Sequence, residues 1–203
     1  PKRWRIPMKI ASFIAVAGIA AAAGAQTMTY NWSISDSGNG DGIIEPGESA
    51  MLTLSATMDP DQSGNQGGFA GSIYEILGGA NWDTGTVDVH DNLLDALTND
   101  GTLVGNDVTN IESFQLPVFF NPFFDASNPI DIYKITWTPS DYTARSVDVS
   151  DANHQNNDVY TDNFGTSVPY TGVSNGASFQ VVPAPASMAL LGLGGLVATR
   201  RRR

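Results

Sequence analysis

The chain has no cysteine among its 203 residues. Disulfides, thiol nucleophiles and thiolate metal sites are therefore excluded. Histidine is nearly absent, and His90 and His154 are the only imidazoles. No His-x-x-x-His spacing occurs, so there is no zinc motif. Neither histidine has a recognisable Ser or Asp framework around it, and both read as ordinary surface residues, His154 within an Asn-rich loop. Walker loops and dinucleotide fingerprints are missing. No local motif nominates a glycosidase pair among the 21 acids. The expectation is a protein that is not an enzyme.

Cations are also scarce. Of the 10 lysines and arginines, Lys2, Arg3, Arg5, Lys9, Arg200, Arg201, Arg202 and Arg203 lie at the two ends. Between residues 26 and 182 only Lys134 and Arg145 face all 21 acids, a formal charge of −19. Such a surface repels nucleic acid and anionic lipid, and it favours solubility and divalent cations. It leaves little room for surface ion pairs.

Long 3.6-residue patterns are the third absence. Short apolar or alternating runs lie between Gly-, Asn- and Asp-rich turns, and the pattern predicts strands. They fall near Thr27–Ser35, Ala50–Thr57, Phe69–Leu77, Thr84–His90, Val108–Leu116, Ile130–Thr138, Ala144–Ser150, Val159–Thr161 and Ala177–Val182. Leu52 and Leu54 share one face. In Ile130–Trp137 both faces carry apolar residues, which reads as a strand covered on one side and partly on the other. Asp91–Ala96 could form one helical turn. Pro117–Pro129 is an aromatic loop punctuated by proline, which cannot be an internal strand throughout. The fold class is all-β: one antiparallel β-sandwich of immunoglobulin or jelly-roll type over residues 26–182. The order of pieces, with its Pro46-Gly47-Glu48 turn, Gly68–Tyr74 segment and Tyr133–Pro139 strand, resembles cohesin-like sandwiches.

The two ends are of another kind. Lys2, Arg3, Arg5 and Lys9 precede an apolar run from Ile10, and Ala23-Gly24-Ala25 supplies small residues. Residues 1–25 read as a helical secretory signal peptide, cut by signal peptidase between Ala25 and Gln26. At the other end, residues 183–203 hold a Pro box, an apolar run and four arginines. The run Met188–Thr199 would span roughly 18 Å as a helix, against a hydrocarbon core of about 30 Å. The arginines resist translocation. A brief membrane insertion fits this length better than a lifelong anchor, although a plain single-pass transmembrane helix is the alternative.

The box Val182, Pro183, Ala184, Pro185, Ala186 and Ser187, the apolar run and Arg200–Arg203 together resemble the PEP-CTERM class of sorting signals. Ala184 stands where the commonest form has Glu. The resemblance implies recognition by an exosortase-type membrane transpeptidase, cleavage near the box, and delivery to the cell envelope, cell surface or an exopolysaccharide matrix.

One local constellation points to metal chemistry. With Gly42 at the sharp turn of a calcium loop, Ser37, Asn39, Asp41, the Ile43 carbonyl, Glu45 and Glu48 fall at the ligand positions, with Asp36 one residue early. Calcium takes six to eight hard oxygens, and a terminal carboxylate can supply two. The loop resembles the Asn-Gly-Asp-Gly-x-x-Glu-Pro-Gly-Glu loops of extracellular bacterial β domains, where calcium is implied as a structural ligand. Glu45–Glu48 is equally a β-turn that needs no ion. A second acidic group, Asp148, Asp151 and Asp158 with Asn153, His154, Asn156 and Asn157, reads as a solvated polar loop, with ligation of a second ion as the alternative. Trp32, Trp82 and Trp137 with Phe119, Phe120, Phe123 and Phe124 read mainly as core, or else as a sugar-stacking surface. The functional expectation is an exported structural or adhesive protein, with a carbohydrate-binding module as the alternative.

Overall fold

The computed structural model describes residues 25–79, 81–83, 87–93 and 98–183. The signal segment through Gly24, Thr84–Thr86, residues 94–96 of the helical turn expected at Asp91–Ala96 and the sorting segment from Ala184 onward lie outside the described residues, and Asp91 is the last residue of a strand. Among those described, no helix is long and apolar enough to cross a membrane.

The strands are β1 (Thr27–Asp36), β2 (Ile43–Ile44), β3 (Ala50–Asp59), β4 (Gly68–Gly78), β5 (Val87–Asp91) and β6 (Thr102–Val104), then β7 (Asp107–Phe114), β8 (Ile130–Trp137), β9 (Arg145–Tyr160), β10 (Ser167–Pro169), β11 (Thr171–Ser174) and β12 (Ala177–Val181). They form two packed sheets. One runs β11-β1-β3-β8-β5, and the other β2-β12-β9-β4-β7-β6 with β10 also on β9. All pairs are antiparallel except β1 with β11 and β2 with β12. The body is thus the expected all-β sandwich.

Alternation puts Met28 and Tyr30 of β1 and Leu52, Leu54, Ala56 and Met58 of β3 on the inner face of the first sheet. Phe69, Tyr74, Ile76, Ile111, Val147, Val149 and Val159 meet them from the second. Each buried Leu or Ile contributes about 1.5–3 kcal/mol relative to exposure. Both sheets and this core are complete between Thr27 and Val181, so the body is a folding unit in itself.

Three departures from period-2 counting stand out. In β8, Leu54 pairs with Tyr133 and Ser55 with Asp131, which leaves Ile132 as an extra residue. This bulge lets Ile130 and Ile132 and then Tyr133, Ile135 and Trp137 all reach the core. The strand is not covered on two faces; its inward phase shifts. The second departure is at residues 151–158, which are strand and not a loop. The strands expected at Ala144–Ser150 and Val159–Thr161 are the two ends of one strand of 16 residues, Arg145–Tyr160, that includes the Asn-rich stretch. Its pairing with β4 shifts between Phe69 and Gly71, and then slips with an extra β9 residue each time between Gly71 and Ile73 and between Ile73 and Glu75. At these slips Asn156 and Asn153 adopt φ of 52° and 56°. The third departure is the β4–β7 slip, where Asn110 has φ 58°. Asparagine tolerates the left-handed region better than other non-glycine residues. The asparagines therefore bend strands here. The short strands β2, β6, β10 and β11 also escaped the sequence pattern.

The long β9 sets the axis of the body. At about 3.3 Å per residue its 16 residues span roughly 50 Å. At its start Arg145 pairs with Val181, and at its end Tyr160 pairs with Ser167 and Gly68. The chain therefore leaves β12 at one end, called the base. The Pro117–Pro129 loop lies at the far end, where Phe119 N donates to Asn163 O at 2.9 Å. Thr27 opens β1 at that far end too, opposite Asp59.

Candidate functional site

The base is built on the glycine-rich loop after β1. Asp36 is buried at the end of its strand. Its Oδ1 accepts from the amides of Gly38 and Gly40, both at 2.8 Å, and its Oδ2 from Gly42 at 2.9 Å. The Gly40 amide leads in holding the carboxyl down to about 2, with Gly42 and Gly38 helping against burial. Gly40 and Gly42 have φ of 80° and 76°, which lets alternate amides turn toward one carboxylate. Glu48 Oε2 accepts from the Glu45 amide at 2.9 Å, and Ser37 Oγ from Ser49 N at 3.0 Å. A Cβ on Gly38 would lie 1.7 Å from Glu48 Oε1, so Asp36 and Glu48 both press on that glycine.

Asn39 and Asp41 are exposed and turn onto the amides two residues ahead. Ile43 and Ile44 leave the loop as β2 beside Gln180 and Val181. Val182 N then donates to Ile44 O at 3.0 Å. The loop thereby clasps the strand from which the tail departs. For a metal, the oxygens of Asp36 and Glu48 are the ones drawn inward. Among the described residues, no three His, Cys, Asp or Glu side chains group closely enough to hold an ion. Arg145, also at the base, pairs with Asp83 at 2.9 Å and Asp141 at 2.7 Å.

Midway along the body, where the sequence suggested a solvated polar loop, lies a buried polar cluster. The bulge at Asn153 turns His154 inward, where its side chain is 9% exposed and that of Asp151 0%. His154 Nε2 lies 2.6 Å from Asp151 Oδ2, and Trp32 Nε1 donates to Asp151 Oδ1 at 2.9 Å. The imidazole stacks on Tyr30, with centroids 3.9 Å apart. Beside it, the Tyr30 hydroxyl, Ser72 Oγ and Asn157 Oδ1 form a triangle whose sides are each 2.7 Å. Two hydroxyl protons are shared among these three oxygens. Burial, with the Asp151 charge adding to it, holds the Tyr30 phenol well above its ordinary range, so it stays neutral. His154 Nδ1 is buried without a partner. A Cβ on Gly172 of β11 would lie 2.8 Å from His154 Cβ, which shows how tightly that strand covers the ring. A nucleophile–base pair needs an open face for substrate; this cluster is enclosed and fastens β1, β4, β9 and β11 together. The Asp-x-x-His spacing was its one trace in the sequence. Asp148 is exposed and outside it.

The far end carries the aromatics. Phe119, Phe120, Phe123 and Phe164 are 65%, 64%, 83% and 65% exposed. Phe119 meets Phe120 edge-on at 5.1 Å and Phe164 at 5.5 Å. Phe124 is half-buried near Tyr160. Trp82 and Trp137 are core residues, as expected, whereas these three loop phenylalanines are not. Phe164 joins them from the turn after β9 and had no signal in the sequence. His90 is half-buried, with its ring 6.3 Å from that of Tyr133.

The base shows where the body ends: Val181 is the last ladder residue, and Pro183 follows the final hydrogen bond. Residues 181–203 match the PEP-CTERM protein-sorting motif. The PEP-CTERM tail marks an exported protein sorted to the cell surface, and it implies processing by an exosortase-type enzyme. Comparison with curated proteins finds no match. Among solved structures, a cohesin module from a Clostridium perfringens ATCC13124 family 33 glycoside hydrolase is similar with TM-score 0.48 and 8% identity, over 78% of this chain and 99% of that one. A chain of a complex between CaCohA2 and a variant of CaDoc0917 has TM-score 0.40 and 13% identity, over 78% and 100%. The PEP-CTERM box thus begins one residue after the sandwich closes.

Proposed function

We propose that this chain is a non-enzymatic envelope or matrix protein, in which the β-sandwich is a structural or adhesive module presented by its PEP-CTERM tail. One observation carries the reading: the tail leaves the base, while the exposed phenylalanines crowd the opposite end, roughly 50 Å away along β9. A module handed to the surface by its base presents its aromatic end outward. In this reading signal peptidase frees Gln26, and the tail spends a short time in the membrane before the sorting enzyme acts on it.

The chain lacks cysteine, so single cysteines report exposure cleanly. Ser127→Cys at the far end should label on intact cells with a membrane-impermeant maleimide. Removing residues 183–203 should abolish that surface signal. Unchanged labelling after the deletion overturns the reading.

Calcium at Asp36, Ser37, Asn39, Asp41, Ile43, Glu45 and Glu48 is a structural proposal that rests on the order of oxygen donors. The carbohydrate-binding alternative rests on Phe119, Phe120 and Phe123. Trp82 and Trp137, which would give the flattest stacking surface, are buried. The edge-on pair of phenylalanines offers no shared plane, at 85° between rings. Adhesion through an apolar contact is therefore the better-supported use of this end.

A further inference from the structure

The aromatic end combines two features that together select a partner. Its four phenylalanines expose on the order of 500 Å² of apolar surface, as much as the largest patch on a typical monomer. The charged side chains of this end are of one sign. Asp59, Asp61, Asp125 and Asp162 lie in the three segments that form this end, 59–67, 117–129 and 160–168, and those segments contain no Lys, Arg or His. Three of these carboxylates are fixed in place. Asp162 accepts from the amides of Phe164, Gly165 and Thr166, Asp61 from Ser63, and Asp125 from Ser127. The Thr166 hydroxyl and amide lead in holding the Asp162 carboxyl below its usual range.

Resting on the adhesive reading above, we propose that this end docks a protein partner whose apolar groove is rimmed by lysine and arginine. Charge complementarity makes the choice. A second copy would bring two acidic ends and two bodies of formal charge −19 together, and like charges brought face to face oppose association. The phenylalanine side chains have no group to donate to or accept from sugar hydroxyls. A cationic rim around an apolar groove satisfies both the patch and its border. Electrostatic attraction would speed encounter, and insertion of Phe120 and Phe123 would set the residence time.

The test uses the body from Gln26 to Pro183 and two amphipathic helical peptides with the same leucine face, one carrying lysines and the other glutamates. The lysine peptide should bind, and the glutamate peptide should not. Phe120→Ser with Phe123→Ser should weaken binding about tenfold or more. Leu103→Ser with Val104→Ser, exposed apolar positions on β6, should leave it unchanged. Equal loss in both variants means the binding is not confined to this end, and no loss in either means the contact is charge alone; either result overturns the proposal. Self-association abolished by the Phe variants also overturns it, as does binding to a neutral polysaccharide without peptide binding. The surface-labelling result is independent of all these outcomes, so a failure here is separable from a failure of the adhesive reading.

Discussion

The imidazole of His154 lies flat against the ring of Tyr30, 3.9 Å between centroids and 19° between planes, while its Nε2 reaches Asp151. Two residues 124 positions apart thus join the first strand of one sheet to the longest strand of the other. The contact depends on the bulge at Asn153.

Asp151→Ala would leave Trp32 Nε1 and His154 Nε2 without their acceptor in an enclosed site. Unfolding in urea should show a loss of about 2–4 kcal/mol. Tyr30→Phe, which removes one corner of the hydroxyl triangle, should cost about 1–2 kcal/mol. A loss under about 0.5 kcal/mol for Asp151→Ala would mean that water replaces the acceptor.

The left-handed asparagines should discriminate among substitutions by backbone alone. Asn156→Gly should leave stability near the native value, because glycine adopts φ of 52° without strain. Asn156→Val should lose about 1–3 kcal/mol. Paired melting curves decide this, and equal curves for the two variants would remove the conformational explanation.

Asp36 should give the body an acid-sensitive base. Its folded carboxyl is held at about 2, below about 3.9 for an unfolded aspartate. The stabilisation is therefore full above the unfolded value and disappears as pH falls from about 4 toward 2. Asp36→Asn should flatten the urea midpoint across that window, and a midpoint with native pH dependence in the variant would assign the acid response elsewhere.

Calcium separates from this network by chelation. If the loop holds the ion, chelator lowers the melting temperature and Glu48→Gln removes the difference. Coincident curves with and without chelator leave the amides of Gly38, Gly40 and Gly42 as the whole structure of the loop.

Strand positions were legible because alternation in runs such as Met51–Ala56 reports one buried face directly. Bulges were not. An inserted residue such as Ile132 makes both faces of β8 look apolar, and asparagines that bend β9 look like loop composition. The short strands β2 and β11 contain too few residues for alternation to register. The same limit hid the central cluster: Asp151 and His154 become neighbours only because the strand kinks between them. The glycine-rich loop stood out by its spacing of oxygen donors, but those of Asp36 and Glu48 turn toward the loop's own amides, which spacing does not encode. The outward phenylalanines were ambiguous because apolar character alone does not tell core from contact, and Phe164 lies 41 residues beyond Phe123.

The separation of the tail from the aromatic end has a mechanical meaning. Tension between a tethered base and an engaged far end runs along the strands. The five residue pairs joining β12 to β9, Ala177–Val181 against Val149–Arg145, then carry load side by side in shear. Peeling them one at a time would require a sideways pull. The module is therefore stiffest along the line on which its own tether would stretch it.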